Sequence, residues 1–199
     1  MSPFIETIKV ENGEARNLRF HQARFNRTRF EKLGLESHPA LADEIIIPPS
    51  ARDGLFKCRI IYDQEINRVE FSPYVRPDIR TLKLISNDLI TYDYKSTDRS
   101  ALRALYDLRG SCDDILILKK GWISDSYFAN VVMWDGSRWY TPESPLLEGC
   151  MRAFLLESGA IKKTAIRIED LSKFSKLRLI NALNDLNDSP LIPIEAISW

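Results

Sequence analysis

The sequence predicts an α+β fold, and three observations carry that reading. Short segments such as residues 4–10 and 163–168 alternate apolar and polar side chains, the period-two signature of half-buried strands. A few other stretches, residues 21–33, 96–108 and 149–156, space apolar side chains at helical intervals. Strand and helix then alternate irregularly, with no internal repeat and no low-complexity tract, so the class is α+β or mixed α/β.

In chain order, residues 4–10 form a strand, Asn12-Gly13-Glu14 turns it back, and a partner strand resumes near residues 15–18. The helix over 21–33 places Phe25, Phe30 and Leu33 on one broad face. Its Arg27 and Arg29 read as a solvated face. Residues 35–51, marked by Pro48-Pro49, are a loop with a short helical piece. Residues 55–63 and 68–74 pair around a turn at 64–67, and 81–86 is a further short strand. Residues 87–94 are polar and lack helical period, which makes them a linker between a lobe at 1–86 and a larger lobe at 95–199. A helix over 96–108 leads to the apolar strand 113–119, which continues through 122–123 and 128–134. Asp135-Gly136 turns the chain, Pro142 and Pro145 stiffen a loop, and a helix starts at Gly149. Strand 163–168, a short helix at 169–174, strand 177–183 and an extended piece at 191–197 complete the chain.

Bulk composition narrows the function. The 199 residues are 44% hydrophobic and 28% charged, values of a soluble globular protein with a real core. Basic and acidic residues number 28 each, so no net field draws in nucleic acid or an anionic membrane. The chain opens without a signal-peptide pattern and its apolar runs are too short to span a bilayer. The 3 cysteines, Cys58, Cys112 and Cys150, are scattered, which suits a reducing cytoplasm. With only His21 and His38, a multi-histidine metal site is not expected. Phosphate-loop, dinucleotide, zinc-protease and paired-cysteine motifs are all missing, and no histidine is placed to activate Ser96, Thr97 or Cys150.

Three positions carry chemistry of other kinds. Lys95, between Tyr94 and Ser96, reads as a surface residue from composition or as an amine nucleophile if its charged form is disfavoured. Asp125 lies between apolar strand segments. It suits a turn, as Ser124-Asp125-Ser126 does, or a carboxylate facing a pyridine nitrogen. Gly149-Cys150-Met151-Arg152 opens a helix, and helix-start amides bind phosphate, with Gly149 admitting close approach. Arg24 offers a charged fork to the same group.

The order of these motifs resembles the class IV aminotransferases, the pyridoxal-phosphate enzymes of fold type IV. That group includes branched-chain and D-amino acid aminotransferases and 4-amino-4-deoxychorismate lyase. F-I-E-T-I (residues 4–8) is similar to the family's early strand, and H-Q-A-R-F (21–25) to its histidine and phosphate-binding arginine, which puts that role on Arg24. Y-K-S-T-D-R (94–99) resembles the segment around the Schiff-base lysine, hence Lys95. Residues 121–131 resemble the strand pair that supplies the ring-nitrogen acid and its asparagine, hence Asp125 and Asn130. Residues 145–152 resemble the phosphate-holding turn and helix start, hence Gly149, Cys150 and Met151, and K-L-R-L-I-N-A-L (176–183) a second phosphate-side segment at Asn181 and Ala182.

The resemblance implies two α+β lobes like those of D-amino acid aminotransferase, with the first lobe trimmed. It implies pyridoxal 5'-phosphate as cofactor, no metal, a small amino- or keto-acid substrate and a homodimer. Three departures stand out. The usual opening strand before Phe4 is missing, the acid is Asp125 rather than Glu, and Cys150-Met151 replaces an apolar residue followed by Thr. Arg59, Arg76, Arg80, Tyr92 and Tyr94 are substrate contacts or ordinary packing. K-S-T-D-R favours the lyase of folate synthesis, which forms 4-aminobenzoate and pyruvate. The alternatives are an amino acid transaminase and a non-catalytic binder on the same fold.

Overall fold

The computed structural model describes residues 2–199, which form two compact units: the residues up to Arg76 with Tyr94–Asp98, and Pro77–Asp93 with Arg99–Trp199. The sequence expectation groups the lysine segment with the second lobe. Its contacts place it with the first, because Lys95 O accepts from Ile5 N at 2.9 Å and Ser96 bridges Phe4. Thr97 N and Oγ1 both donate to Pro3 O at 2.9 Å.

The first unit is one antiparallel sheet and a helix. Strands β1 (Phe4–Glu11), β2 (Glu14–Ala15), helices α1 (Leu18–Leu33) and α2 (Leu41–Glu44), and strands β3 (Leu55–Tyr62) and β4 (Ile66–Pro73) follow in order. The sheet runs β2-β1-β3-β4. The tight β1–β2 turn needs Gly13 at φ +78°, a left-handed conformation that glycine adopts without steric cost. Ile8, Phe25, Leu41, Cys58, Ile60 and Tyr62 are sealed from solvent between sheet and helices. Each such side chain contributes about 1.5–3 kcal/mol of burial. Phe30 lies outside this core at 59% exposure, contrary to the single broad face expected of α1. Buried polar side chains take up the space: His21, Arg24, Thr28 and Arg29. Arg29 is not solvated either. It donates to the Asp63 and Gln64 carbonyls at 3.0 and 2.8 Å, fastening α1 to the β3–β4 turn.

The second unit holds two sheets. Strand β5 (Leu82–Ser86) is followed by helix α3 (Ser100–Tyr106), β6 (Asp114–Lys119), β7 (Trp122–Ile123), β8 (Asn130–Trp134) and β9 (Trp139–Pro142). Helix α4 (Cys150–Glu157), β10 (Ile161–Thr164), β11 (Lys176–Ile180), β12 (Ile192–Pro193) and β13 (Ile197–Ser198) complete it. Helix α3 begins four residues later than its apolar spacing suggests, since the backbone of residues 95–97 is hydrogen-bonded to residues 3–5. The sheets run β13-β5-β6-β7 and β10-β9-β8-β11-β12. Strand β6 is buried along nearly its whole length, as its unbroken apolar run requires. Among the described residues, no helix is long and apolar enough to cross a membrane.

Candidate active site

In the second unit the chain passes from one sheet to the other through Asp125. Ser124 N donates to Ile117 O, and Ile117 N to Asp125 O, both at 2.9 Å, so pairing with β6 continues past β7. Ser126 N then reaches Ala129 O at 2.9 Å, and Asp125 bridges Asn130 at the head of β8. Asp125 is therefore a bridge residue rather than part of a Ser124-Asp125-Ser126 turn, and the turn falls one residue later, at 126–129.

The Asp125 side chain is 5% exposed. Asn130 Nδ2 donates to its Oδ1 at 2.8 Å, and Leu147 N to its Oδ2 at 3.0 Å. Asn130 Nδ2 also donates to Leu147 O at 2.8 Å. Asp125, Asn130 and the loop before α4 thus form a closed set. Burial pushes the Asp125 carboxyl up to about 6, against the hydrogen bonds from Asn130 and Leu147 and the pull of the Arg152 charge.

Gly149 caps α4 in extended conformation. A Cβ there would lie 2.1 Å from Asn130 Oδ1, so the position admits only glycine without displacing that side chain. The first amides of α4, from Cys150 to Arg152, have no acceptor within the helix by its geometry. They constitute a ready anion-binding end next to the carboxylate set. Cys150 and Met151 themselves are buried. Asn181 Oδ1 accepts from Leu183 N and Asn184 N at 2.9 and 3.1 Å, which fixes the turn through Ala182. The side chain of Asn181, with Phe128 and Ala129, lines a small apolar depression.

In the first unit Arg24 is 8% exposed and forks the fully buried Glu6: Nε to Oε1 at 2.8 Å, Nη2 to Oε2 at 2.6 Å. His21 Nδ1 lies 2.7 Å from the same Oε2. Burial alone would raise the Glu6 carboxyl, but Arg24 and His21 outweigh it and hold the group near 2. Lys95 is half-buried, with its backbone on β1.

The suggested substrate contacts take local partners. Arg59 faces Glu70 at 3.6 Å, Arg80 pairs with Asp78 at 2.8 Å, and Tyr94 donates its hydroxyl to Glu31 at 2.7 Å. Arg99 stacks over Tyr92 at 5.5 Å, and Arg76 is half-buried.

Residues 4–197 match the family model of amino-transferase class IV. The chain belongs to that family. An uncharacterized protein of Haemophilus influenzae is 36% identical to this aminotransferase-family chain, over 94% of the chain and 100% of the relative. A crystal structure from Haemophilus somnus 129PT, described as that of a candidate 4-amino-4-deoxychorismate lyase, is 35% identical with a TM-score of 0.88, covering 94% and 98% of the two chains. A hypothetical aminotransferase from Mycobacterium tuberculosis in its PLP-bound form shares the fold, with TM-score 0.76 and 17% identity over 96% and 80% of the chains.

Four buried side chains lie outside the sequence-derived set: Glu6 and His21 in the first unit, Asp114 and Arg152 in the second. Asp114 Oδ1 accepts from Tyr127 N at 3.3 Å, steadying the turn after Asp125, and burial pushes its carboxyl up to about 6. Its Oδ2 is buried without a hydrogen-bond partner among the described residues. Arg152 is 3% exposed. Glu6, His21 and Arg152 fall inside the motifs quoted above, but a polar side chain inside an apolar segment does not by itself distinguish burial from exposure.

Proposed function

We propose that this class IV aminotransferase uses pyridoxal 5'-phosphate and acts as a 4-amino-4-deoxychorismate lyase, releasing 4-aminobenzoate and pyruvate. The observation that carries the cofactor reading is the buried Asp125 carboxylate, oriented by Asn130 and Leu147 beside the start of α4. The likeness to the candidate lyase of Haemophilus somnus supports the choice of substrate.

The residues fit this cofactor by the chemistry of their donors. A carboxylate is what a protonated pyridine nitrogen requires, and each Asp125 oxygen retains acceptor capacity beyond its one bond. Amides at a helix start suit a phosphate. When bound, the cofactor supplies an electron sink for a substrate carbanion. On the family pattern, Lys95 Nζ is the point of covalent attachment and afterwards moves the substrate proton. Asp125 keeps a proton on the ring nitrogen. Gly149, Cys150, Met151 and Arg24 take the phosphate, with Asn181 and Ala182 on the same side. Met151 brings no hydroxyl, so backbone amides and Arg24 carry that contact. Arg59, Arg76, Tyr92 and Tyr94 remain the candidates for the substrate carboxylates and ring.

The purified protein is incubated with 4-amino-4-deoxychorismate and, separately, with L- and D-amino acids plus 2-oxoglutarate. Release of 4-aminobenzoate and pyruvate is expected. Turnover of amino acids alone would replace the lyase by a transaminase. A chain that takes up no cofactor, with no visible absorption for Lys95→Ala to abolish, would leave only a non-catalytic binder.

A further inference from the structure

Arg152 is a buried cation with no place in the roles above. Its Nε donates to Thr141 Oγ1 at 3.2 Å and its Nη2 to Pro142 O at 2.8 Å. Thr141 Oγ1 in turn donates to Val131 O at 2.9 Å, next to Asn130. The loop from Pro142 to Gly149 is therefore held at one end by Arg152. At the other it is held by Asp125, through Leu147 N, and by Asn130, through Leu147 O. Arg152 and Asp125 are both shielded from bulk solvent, at 3% and 5% exposure. An isolated buried charge is strongly disfavoured, whereas two of opposite sign in one dry region stabilise each other.

We propose that Arg152 is the buried counter-charge of Asp125 and, through Thr141 and Pro142, the clamp that keeps the 142–149 loop aligned with that carboxylate. It is a positioning residue: it acts on the proposed chemistry only through Asp125, and so rests on the function proposed above. The charge effects agree with the geometry. Burial raises the Asp125 carboxyl and lowers the Arg152 guanidinium, while each charge favours the ionised form of the other. Glu148, beside the loop, also favours charged Arg152. Asp114 holds the 126–129 turn from β6 without a bond to Asp125.

The test follows the Asp125 carboxyl by carbon NMR in the full chain without cofactor, with Asp125→Asn to assign the signal. Arg152→Gln is expected to move its midpoint up by about one unit or more, and Arg152→Lys to restore it. A folded Arg152→Gln chain with an unmoved midpoint would overturn the proposal. If Arg152→Gln does not fold, the paired variant Asp125→Asn/Arg152→Gln decides. Recovery of folding is expected, because neither charge is then left alone, and no recovery overturns the proposal. Failure of cofactor uptake with the coupling intact would instead sink the function reading alone.

Discussion

Two buried carboxylates of this chain respond to pH in opposite directions. Asp125 is raised from 3.8 to about 6, so between those values the folded chain keeps a proton that the unfolded chain has released. Its contribution therefore falls as the pH rises through that window, by about 3 kcal/mol in all. Asp125→Asn should abolish this loss, so its stability relative to the parent chain should improve between pH 4 and about pH 7 in urea titrations. A constant difference across that range would contradict the assignment. Glu6 is lowered from 4.5 to about 2, so its contribution is complete above the unfolded value and disappears as the pH falls through that lower window. Glu6→Gln leaves Arg24 and His21 buried around a neutral amide. It should cost about 3–5 kcal/mol at pH 7 by denaturant unfolding. Gly149→Ala sets a methyl 2.1 Å from Asn130 Oδ1 and must displace it. Cofactor affinity, followed by absorption, should drop at least about tenfold, the equivalent of ~1.4 kcal/mol for one misaligned hydrogen-bonded set. At this scale the acid between two strand segments and the helix start after Gly149 were legible from local pattern, whereas Asn130 was suggested only by the family resemblance. Glu6 and Arg152 were not legible, because a charge becomes a buried partner only through residues remote in sequence.

Helix α1 shows why an element can be legible while its faces are not. Its end follows from the sequence, where Gly34 at φ +67° provides a left-handed cap, but it begins at Leu18, three residues before the expected start at His21. The apolar spacing placed Phe30 inward and Arg29 outward. The structure reverses them, since the buried stripe of α1 accommodates an ion-paired network and two arginines rather than apolar side chains alone. Arg29→Ala should therefore cost about 1–3 kcal/mol, because the Asp63 and Gln64 carbonyls lose their donor. Phe30→Ala, at 59% exposure, should stay within about 0.5 kcal/mol. Thermal and denaturant unfolding of the two variants would compare them directly. Similar reasoning explains the late start of α3. Ser96 and Thr97 have helical neighbours by spacing, yet their backbone is taken by Phe4 and Pro3.

For the whole molecule, the mixed sheets and few helices agree with the α+β class read from irregular alternation, and the family match spans nearly the entire chain. The local pairs β1–β2 and β3–β4 were readable, but the rest of the pairing order was not, since β8 joins β11 and β5 joins β13 across long stretches of chain. Such contacts depend on which faces meet, not on local pattern. The family expectation of a homodimer predicts a sedimentation mass twice that of the chain, and a monomeric mass would remove it.

The tie between the opening strand and the lysine segment has a practical consequence. Pro3 O accepts two bonds from Thr97, and Ile5 N donates a third to the Lys95 carbonyl. Engineering that shortens or reroutes the first few residues would cut these tethers and let the stretch around position 95 wander. An affinity handle is therefore better fused after Trp199, where Ile197–Ser198 is an edge strand of a different sheet.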